Sequence, residues 1–314
     1  MNMSEKEEKK LIQQVIEDAL EAGRPYIAKG AVASYIPELK LADKNKLGIC
    51  VYSCNGTRYC CGDTEDRFSI QSISKVISLA VALETCGFDA VFDQIGMEPS
   101  GDAFNSLLKL ETSSSHPYNP MINSGAIAVA SHIEPKISFD EMLTLTRSLC
   151  QDEEIVLDEK VYQSEMSTIS RNRAIAYLLD SKGIMIGPVE EALDFYVRMC
   201  SLSVTAKSLA GLGLLLANGG IELSSGRRLL QPDTVKVVKT IMLTCGMYDG
   251  SGEFAVRVGI PSKSGVGGGI LSVVDRKMGI GIYGPALDAK GNSVAGEQVL
   301  RFLSDKLHLH IFGN

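Results

Sequence analysis

The sequence predicts an α+β fold in which an antiparallel sheet is flanked by an N-terminal and a C-terminal helix and carries a helical subdomain at one edge. Three observations predict it: amphipathic helical patterns at both ends of the chain, strand-like runs within residues 47–61 and 253–283, and helical patterns over most of the residues between. This order is typical of sequential antiparallel strands covered by both terminal helices.

An amphipathic helix of about five turns opens the chain. Ser4 and Glu7 have the spacing of a capping box, and Gly23 and Pro25 end the pattern. The apolar residues between them share one helical face: Leu11, Ile12, Val15, Ile16, Ala19 and Leu20. This stripe predicts that the helix packs against the rest of the protein.

Two strands and a buried helix follow. Leu47–Ser53 and Thr57–Cys61 are strand-like, and Asn55-Gly56 between them is a strong signal for a hairpin turn. From Ser72 to Thr85 the sequence is apolar nearly all round, which predicts a buried helix.

The C-terminal part returns to strands. Glu253–Gly259, Gly269–Val274 and Lys277–Tyr283 are strand-like, and Val294–Leu307 predicts a closing amphipathic helix. We therefore expect residues 1–71 and 241–314 to form the sheet subdomain and residues 72–240 to form the helical subdomain. The active-site cleft is expected between the two.

Composition narrows the class of protein. The chain has 314 residues, 45% of them hydrophobic, and a formal net charge of −7, so it has no electrostatic reason to bind nucleic acid. The first residues are not typical of a secretory signal and no run is long enough for a membrane span, so we expect a cytoplasmic protein. The eight cysteines are expected as reduced thiols, and no spacing indicates a metal site. We expect no cofactor.

The motif S-x-x-K at Ser72-Ile73-Ser74-Lys75 is a candidate for nucleophilic chemistry. On a helix, positions i and i+3 share a face, so the lysine nitrogen can reach the serine oxygen. A serine hydroxyl needs a base, and a lysine serves as one only if burial or nearby cations lower its pKa. A helix that is apolar nearly all round supplies that burial.

Two other motifs are interpreted as structural. Ser106-Leu107-Leu108-Lys109 is a second S-x-x-K, which we interpret as an ordinary amphipathic helix surface. Residues 279–284 match GxGxxG, but the match lies inside a strand and runs into Pro285. A dinucleotide site requires a strand, a turn and a helix, so we reject a dinucleotide site at residues 279–284.

Lys263-Ser264-Gly265 strengthens the assignment of Ser72. An S-x-x-K followed far downstream by K-[ST]-G resembles the pairing in penicillin-recognising enzymes and serine β-lactamases. The alternative is a glycine-rich hairpin turn. The shared order and the α+β arrangement favour the catalytic interpretation.

Further segments resemble the serine-dependent glutaminase family over roughly residues 20–300. In order they are Tyr35 to Pro37 (YIP), Gln71 to Lys75 (QSISK), Pro120 to Ile127 (PMINSGAI), Cys245 to Asp249 (CGMYD) and Lys263 to Val266 (KSGV). The octapeptide is very specific, whereas S-x-x-K is not. The resemblance implies a β-lactamase/transpeptidase-like fold and hydrolysis of L-glutamine to L-glutamate and ammonia through an acyl-enzyme on Ser72. We also expect a homo-oligomer, a dimer or a tetramer.

The resemblance also implies roles for individual residues. Ser72 would be the nucleophile, Lys75 its base, Tyr248 a proton relay and Tyr35 a second tyrosine of the same pocket. The backbone N–H groups of Ser72 and Val266 would form the oxyanion hole. The implied substrate-binding set is Gln71, Ser72, Asn123, Glu165, Asn172, Tyr196, Tyr248 and Val266.

The residue types suit glutamine as a ligand. Glu165 can pair with the α-ammonium, and Asn123, Asn172 and Tyr196 offer neutral hydrogen-bonding groups for the carboxylate and the amide. In penicillin-recognising enzymes, a lysine at the position of Lys263 is expected to bind a substrate carboxylate. Here that lysine is expected to give electrostatic support instead.

Two other functions stay open. One is another serine amidase or acyl-transferase of the β-lactamase-like fold, and the other is a catalytically inactive member used for binding. For the glutaminase, Lys75 and Tyr248 are the candidate bases for deacylation. Their pKa values, near about 10 when unperturbed, must be depressed, so we expect an alkaline optimum of roughly pH 8 to 9.

Overall fold

The structure of the chain is a computed structural model that describes residues 5–100 and 116–313. Ser4 of the predicted capping box and the second S-x-x-K at Ser106 lie outside the described residues. The twelve α-helices within them are α1 Glu5–Gly23, α2 Ser74–Cys86, α3 Phe88–Phe92, α4 Asn123–Ile133, α5 Phe139–Cys150, α6 Glu159–Ser167, α7 Ser170–Ser181, α8 Val189–Cys200, α9 Ala206–Ala217, α10 Pro232–Cys245, α11 Ser251–Arg257 and α12 Val294–Leu307.

Eight strands form two sheets in the described part of the chain. The strands are β1 Gly48–Ser53, β2 Arg58–Gly62, β3 Phe68–Ser69, β4 Val156–Leu157, β5 Leu202–Val204, β6 Ser262–Ser264, β7 Gly269–Val274 and β8 Met278–Tyr283. The main sheet has the order β2-β1-β8-β7-β6 and is antiparallel throughout. A small sheet of order β3-β5-β4, which the sequence did not predict, stands beside it.

Helices cover both faces of the main sheet. The terminal helices α1 and α12 pack on each other and enclose one apolar cluster with β1, β7 and β8. On the other face α9 lies against β8, where Gly281 has no room for a side chain: a Cβ there would meet the Ala206 carbonyl oxygen at 2.0 Å. Close helix packing therefore explains two glycines of the GxGxxG match, Gly279 and Gly281. The predicted α+β arrangement is confirmed.

One predicted strand is wrong. Residues 253–259 are helical, in α11 and the turn that follows it, and the third strand of the C-terminal run is the short β6 instead. Phe254 and Val258 are buried, whereas Val256 is 79% exposed. A strand would place these three side chains on one face, but a helix separates Val256 from the other two.

The hairpin and the closing helix agree with expectation. Gly56 adopts a φ of +86° in the turn between β1 and β2, and α12 has the predicted bounds. The buried helix begins two residues later than predicted, because Gln71–Ile73 forms a 3-10 turn ahead of α2. Among the described helices, none is long and apolar enough to span a membrane.

Candidate active site

Ser72 lies in the 3-10 turn that leads into α2 and is 6% exposed. Its neighbour Gln71 has a φ of +49°, an uncommon value for a residue other than glycine. The conformation is held in place because the Gln71 side chain donates to Ser69 Oγ at 2.7 Å and the Gln71 carbonyl accepts a hydrogen bond from Ser74 Oγ at 2.8 Å. Strained backbone of this kind is typical of functional sites.

Lys75 follows one turn later and is 2% exposed. Its nitrogen donates to Asn123 Oδ1 at 2.7 Å and to the Met121 carbonyl oxygen at 3.3 Å. Burial lowers the pKa of Lys75 to about 8, although Cys200 and Glu165 oppose this change. A neutral amine has two N–H donors and one lone pair. The two acceptors match the two donors, which leaves the lone pair for another partner.

Two asparagines extend the network from Lys75. Asn123 opens α4, and its Nδ2 donates to Oδ1 of Asn172 in α7 at 3.0 Å. Asn123 is buried and Asn172 is partly buried. Asn123, which belongs to the octapeptide PMINSGAI, therefore links Lys75 to Asn172.

Glu165 of α6 is 7% exposed and lies next to the side chain of Gln71. Gln71 Nε2 donates to Glu165 Oε2 at 3.3 Å. Burial raises the pKa of Glu165 to about 7, while Gln71 and Lys75 act in the opposite direction. The site thus holds a buried carboxyl group with one neutral hydrogen-bond donor.

Tyr196 and Tyr35 differ in burial. Tyr196 of α8 is buried, and burial together with Cys200 and Glu165 raises its pKa well above the ordinary value. Tyr35 is 55% exposed as a whole residue, but its hydroxyl group is surrounded by protein atoms. Burial, followed by Tyr248 and Glu165, raises the pKa of Tyr35 well above its usual range. Both hydroxyls are therefore protonated near neutral pH.

Tyr248 approaches Ser72 from the chain segment between α10 and α11. It has a φ of +54° and is 7% exposed. The Ser72 hydroxyl and the Val266 backbone N–H both lie near its hydroxyl and favour a phenolate. Burial nevertheless raises the pKa of Tyr248, because it outweighs the effect of these two neighbours. The expectation of a depressed tyrosine pKa is therefore wrong, because the site excludes water from the phenol more effectively than it stabilises a phenolate.

Lys263 of β6 is fully buried next to Tyr248. Its nitrogen lies 4.3 Å from the centre of the Tyr248 ring and donates to the Ser264 carbonyl oxygen at 2.5 Å. Burial and then Lys75 lower the pKa of Lys263 well below the ordinary value. Lys263 therefore loses its positive charge more readily than an exposed lysine, which weakens its ability to stabilise a phenolate at Tyr248.

Val266 and the glycines beside it bring the loop between β6 and β7 against the turn of Ser72. A Cβ at Gly267 would meet the Ser69 carbonyl oxygen at 2.1 Å, and one at Gly265 would meet the Ile70 carbonyl oxygen at 2.7 Å. Only glycine allows this approach. It brings the Val266 N–H towards the start of α2.

Ten of the eleven predicted site residues form one buried or partly buried cluster, and Tyr35 stands at its exposed rim. Sequence reasoning missed Cys200, whose carbonyl oxygen accepts a hydrogen bond from Ser69 Oγ at 3.1 Å and whose thiol contacts Ser74 and Tyr196. Its position four residues after Tyr196 in α8 places it on the same helical face, which is the signal that could have found it.

A large pocket lies elsewhere. A cavity of about 810 Å³ is lined by α10, the turn between β7 and β8, and the C-terminal residues, and none of the predicted site residues lines it. We place the active site at the residue cluster because its buried ionisable groups converge there, whereas volume alone indicates no chemistry. The described residues contain no group of three or more metal-ligating side chains that could hold an ion.

Comparison with known proteins agrees with this geometry. A sequence model of the family described as Glutaminase matches residues 30–312. The glutaminase of Fusobacterium nucleatum subsp. nucleatum is 53% identical over 305 residues, which cover 96% of this chain and 100% of that protein.

Two solved structures have the same fold. A probable glutaminase named YbaS superposes with a TM-score of 0.91 at 39% identity, covering 96% of this chain and 98% of that chain. The Bacillus subtilis glutaminase YbgJ, solved as a covalent complex with 5-oxo-L-norleucine after reaction with 6-diazo-5-oxo-L-norleucine, superposes with a TM-score of 0.86 at 38% identity, covering 95% and 98%.

These likenesses span nearly the whole chain and confirm the predicted β-lactamase-like fold. The family match covers the segments that hold Ser72, Glu165 and Tyr248. The chain belongs to the glutaminase family of amidohydrolases.

Proposed function

We propose that this chain hydrolyses the side-chain amide of L-glutamine to L-glutamate and ammonia through an acyl-enzyme on Ser72. Its relatives are named glutaminases, and one of them reacts covalently with a norleucine analogue. The observation that carries the proposal is the placement of the Ser72 hydroxyl beside the Tyr248 hydroxyl, one helical turn from a buried lysine whose pKa is lowered to about 8.

Acylation begins with the neutral Lys75 amine. Its two N–H groups are directed to Asn123 and Met121, so its lone pair is available to take the proton of Ser72. The Ser72 oxygen then attacks the amide carbon of glutamine. The backbone N–H groups of Ser72 and Val266 stabilise the negative charge that develops on the carbonyl oxygen.

Tyr248 acts as a proton donor and relay in its neutral form. Because its pKa is raised, the phenol holds its proton and can give it to the nitrogen that leaves as ammonia. Lys75 then returns a proton to the relay, and a water molecule, deprotonated by the neutral amine, releases glutamate from Ser72. This role replaces the phenolate base expected from the sequence.

The remaining side chains recognise free glutamine. The buried carboxylate of Glu165 pairs with the α-ammonium, which compensates for the cost of burying that carboxylate. The neutral groups of Gln71, Asn123, Asn172 and Tyr196 fix the α-carboxylate and the amide, and Tyr35 closes the exposed rim. Lys263 supports the ring of Tyr248, whose centre lies 4.3 Å from its nitrogen.

The proposal also includes the division into two subdomains, the location of the protein and its assembly. Residues 1–71 and 241–314 form the sheet subdomain and residues 72–240 the helical one, with the cleft between them. Ser72 and Glu165 belong to the helical part, and Tyr248 and Val266 belong to the sheet part. Packing of α9 on the sheet makes the two parts one continuous body. A cytoplasmic homo-oligomer, a dimer or a tetramer, is also proposed.

One assay tests the function directly. The purified chain is incubated separately with glutamine and asparagine, and ammonia is measured by a coupled enzyme. We expect ammonia from glutamine and at least about tenfold less from asparagine, since a ligand one methylene shorter cannot fill the same site. Acylation by a penicillin-type probe without ammonia release would favour another serine acyl-transferase, and no reaction with either ligand would indicate an inactive member.

A further inference from the structure

Two of the eight cysteines face each other across the first hairpin. The register of β1 and β2 pairs Cys50 with Cys60, and a hydrogen bond of 3.1 Å joins their sulfur atoms. Both are free thiols. This pair lies outside the candidate active site, and the proposed reaction does not use it.

The hydrogen-bond pattern fixes the type of strand pair. The Ser53 N–H donates to the Thr57 carbonyl at 2.9 Å, and the Asp63 N–H donates to the Leu47 carbonyl at 3.1 Å. Directly opposite residues alternate between bonded and non-bonded pairs along an antiparallel ladder. Cys50 lies three residues from both Leu47 and Ser53, which belong to bonded pairs. Cys50 and Cys60 therefore form a non-bonded pair.

Non-bonded pairs suit a disulfide. Their Cα atoms are about 4.5 Å apart, which falls within the range of about 4.4–6.8 Å that a disulfide tolerates. The two sulfur atoms already touch, so the bond needs a small rotation of the side chains. The sheet does not have to change its register.

The surroundings give the two thiols different roles. Cys60 is partly buried, and its hydrogen bond with Cys50 lowers its pKa, with help from the nearby cations Lys207 and Arg58. Cys50 is fully buried, and the same hydrogen bond together with burial raises its pKa. Cys60 is therefore the thiol that small reagents can reach and that ionises first.

We propose that Cys50 and Cys60 form a redox-active dithiol, which a low-molecular-weight disulfide converts to a cross-strand disulfide. The Cys60 thiolate attacks one sulfur of the reagent, forms a mixed disulfide and expels one thiolate. That thiolate takes the proton of Cys50. The Cys50 sulfur then attacks Cys60 Sγ and expels the second thiol, so the chain loses two hydrogens and the reagent is reduced to two thiols.

Neighbouring thiols are excluded by geometry. Cys61 is the next residue of β2 and points to the opposite face of the sheet, where it is paired with Ile49. Cys54 follows the end of β1, and Cys60 is not its partner in the ladder. The disulfide would join β2, the outer strand of the main sheet, to β1.

The experiment uses the full chain equilibrated with oxidised glutathione at pH 8, then denatured and alkylated. We expect two fewer alkylated thiols than in the chain treated with dithiothreitol, and full recovery when the reductant is added back. Tryptic cleavage after Arg58 separates the two cysteines, so mass spectrometry detects the bond as a linked pair of peptides.

Serine variants assign the bond. Cys54→Ser and Cys61→Ser should still lose two thiols to glutathione, whereas Cys60→Ser and Cys50→Ser should not form the linked peptides. The proposal is overturned if all eight thiols stay alkylatable after oxidation, or if the linked peptides persist in Cys60→Ser and disappear in Cys61→Ser.

Discussion

Lys75 in α2 and Lys263 in β6 are both buried at the site, but their surroundings differ. The Lys75 nitrogen meets a side-chain amide and a carbonyl and has the carboxyl group of Glu165 nearby. The Lys263 nitrogen meets one carbonyl and the face of an aromatic ring, and the like charge of Lys75 lowers its pKa further after burial.

These surroundings explain how the same type of side chain takes two roles. Near Lys75, burial is partly offset by Glu165, so the pKa settles at about 8 and the group can gain and lose a proton near neutral pH. Near Lys263, burial and Lys75 act together, so the pKa falls well below its ordinary value. We infer that the first region carries proton transfer and that the second positions Tyr248.

The largest effect is expected from a change at Ser72, the proposed nucleophile. Ser72→Ala should lower kcat by about 10³ to 10⁶ while the fold survives, because only the oxyanion and binding contributions remain. Glutamine turnover measured by ammonia release and folding measured by circular dichroism check it. Ser106→Ala, in the second S-x-x-K motif, serves as the control and should keep normal activity. Near-normal turnover in Ser72→Ala would exclude the acyl-enzyme.

Tyr248→Phe tests the region of Lys263 without changing the ring. It should lower kcat by about 10² to 10⁴ because the proton relay is lost, while glutamine still binds. Mass spectrometry of the quenched reaction separates the two steps: a glutamyl adduct on Ser72 places the hydroxyl mainly in deacylation, and slow chemistry without an adduct places it in acylation too. Full activity would remove Tyr248 from the mechanism.

Glu165→Gln tests the carboxyl group that acts on the pKa of Lys75. It should raise KM strongly and cost about 2–5 kcal/mol, as expected when one partner of a buried charge pair is removed. Steady-state kinetics with glutamine measure this loss, and N-acetylglutamine, which has no α-ammonium, is the matched substrate control. If the wild type hydrolyses both substrates equally well, Glu165 does not recognise the ammonium.

Activity of the wild type should rise with pH through about 8. The base must be neutral, and the pKa of Lys75 is lowered from its ordinary value to about 8, so protonation below that pH removes the base. Each unit below the pKa should reduce kcat/KM about tenfold. Protonation of Glu165, whose pKa is about 7, adds a second loss. A pH profile of kcat/KM checks this prediction, and an optimum at roughly pH 6 or below contradicts it.

Much of the fold and the site is local in sequence and could be predicted. The Asn55-Gly56 turn fixes the first hairpin, and the spacing of Ser72 and Lys75 places them one turn apart whatever surrounds them. Residues 253–259 were misassigned because their apolar residues alternate, a pattern that suits a strand, and only the exposure of Val256 in the fold shows a helix.

The electrostatics of the site could not be predicted in the same way. Tyr248 and Lys263 owe their shifted pKa values mainly to burial by distant segments, and the pKa of Lys263 is also lowered by Lys75, which is far away in sequence. The part played by Cys200 likewise depends on how α8 packs against the turn of Ser72. Such effects follow from tertiary packing, which no single motif encodes.

The smallest effect is expected from Lys263→Met, and it tests the comparison most directly. Methionine fills much of the same volume without the nitrogen, so kcat should fall about tenfold as the Tyr248 ring loses its support, while the fold is kept. Because the pKa of Lys263 is lowered well below its ordinary value, we expect its removal to leave the midpoint of the pH profile near that of the wild type. If Lys263 carried a charge, its removal would relieve the repulsion on Lys75 and move the midpoint to higher pH. The profile of kcat/KM for the two proteins, measured side by side, distinguishes a positioning amine from a second cation.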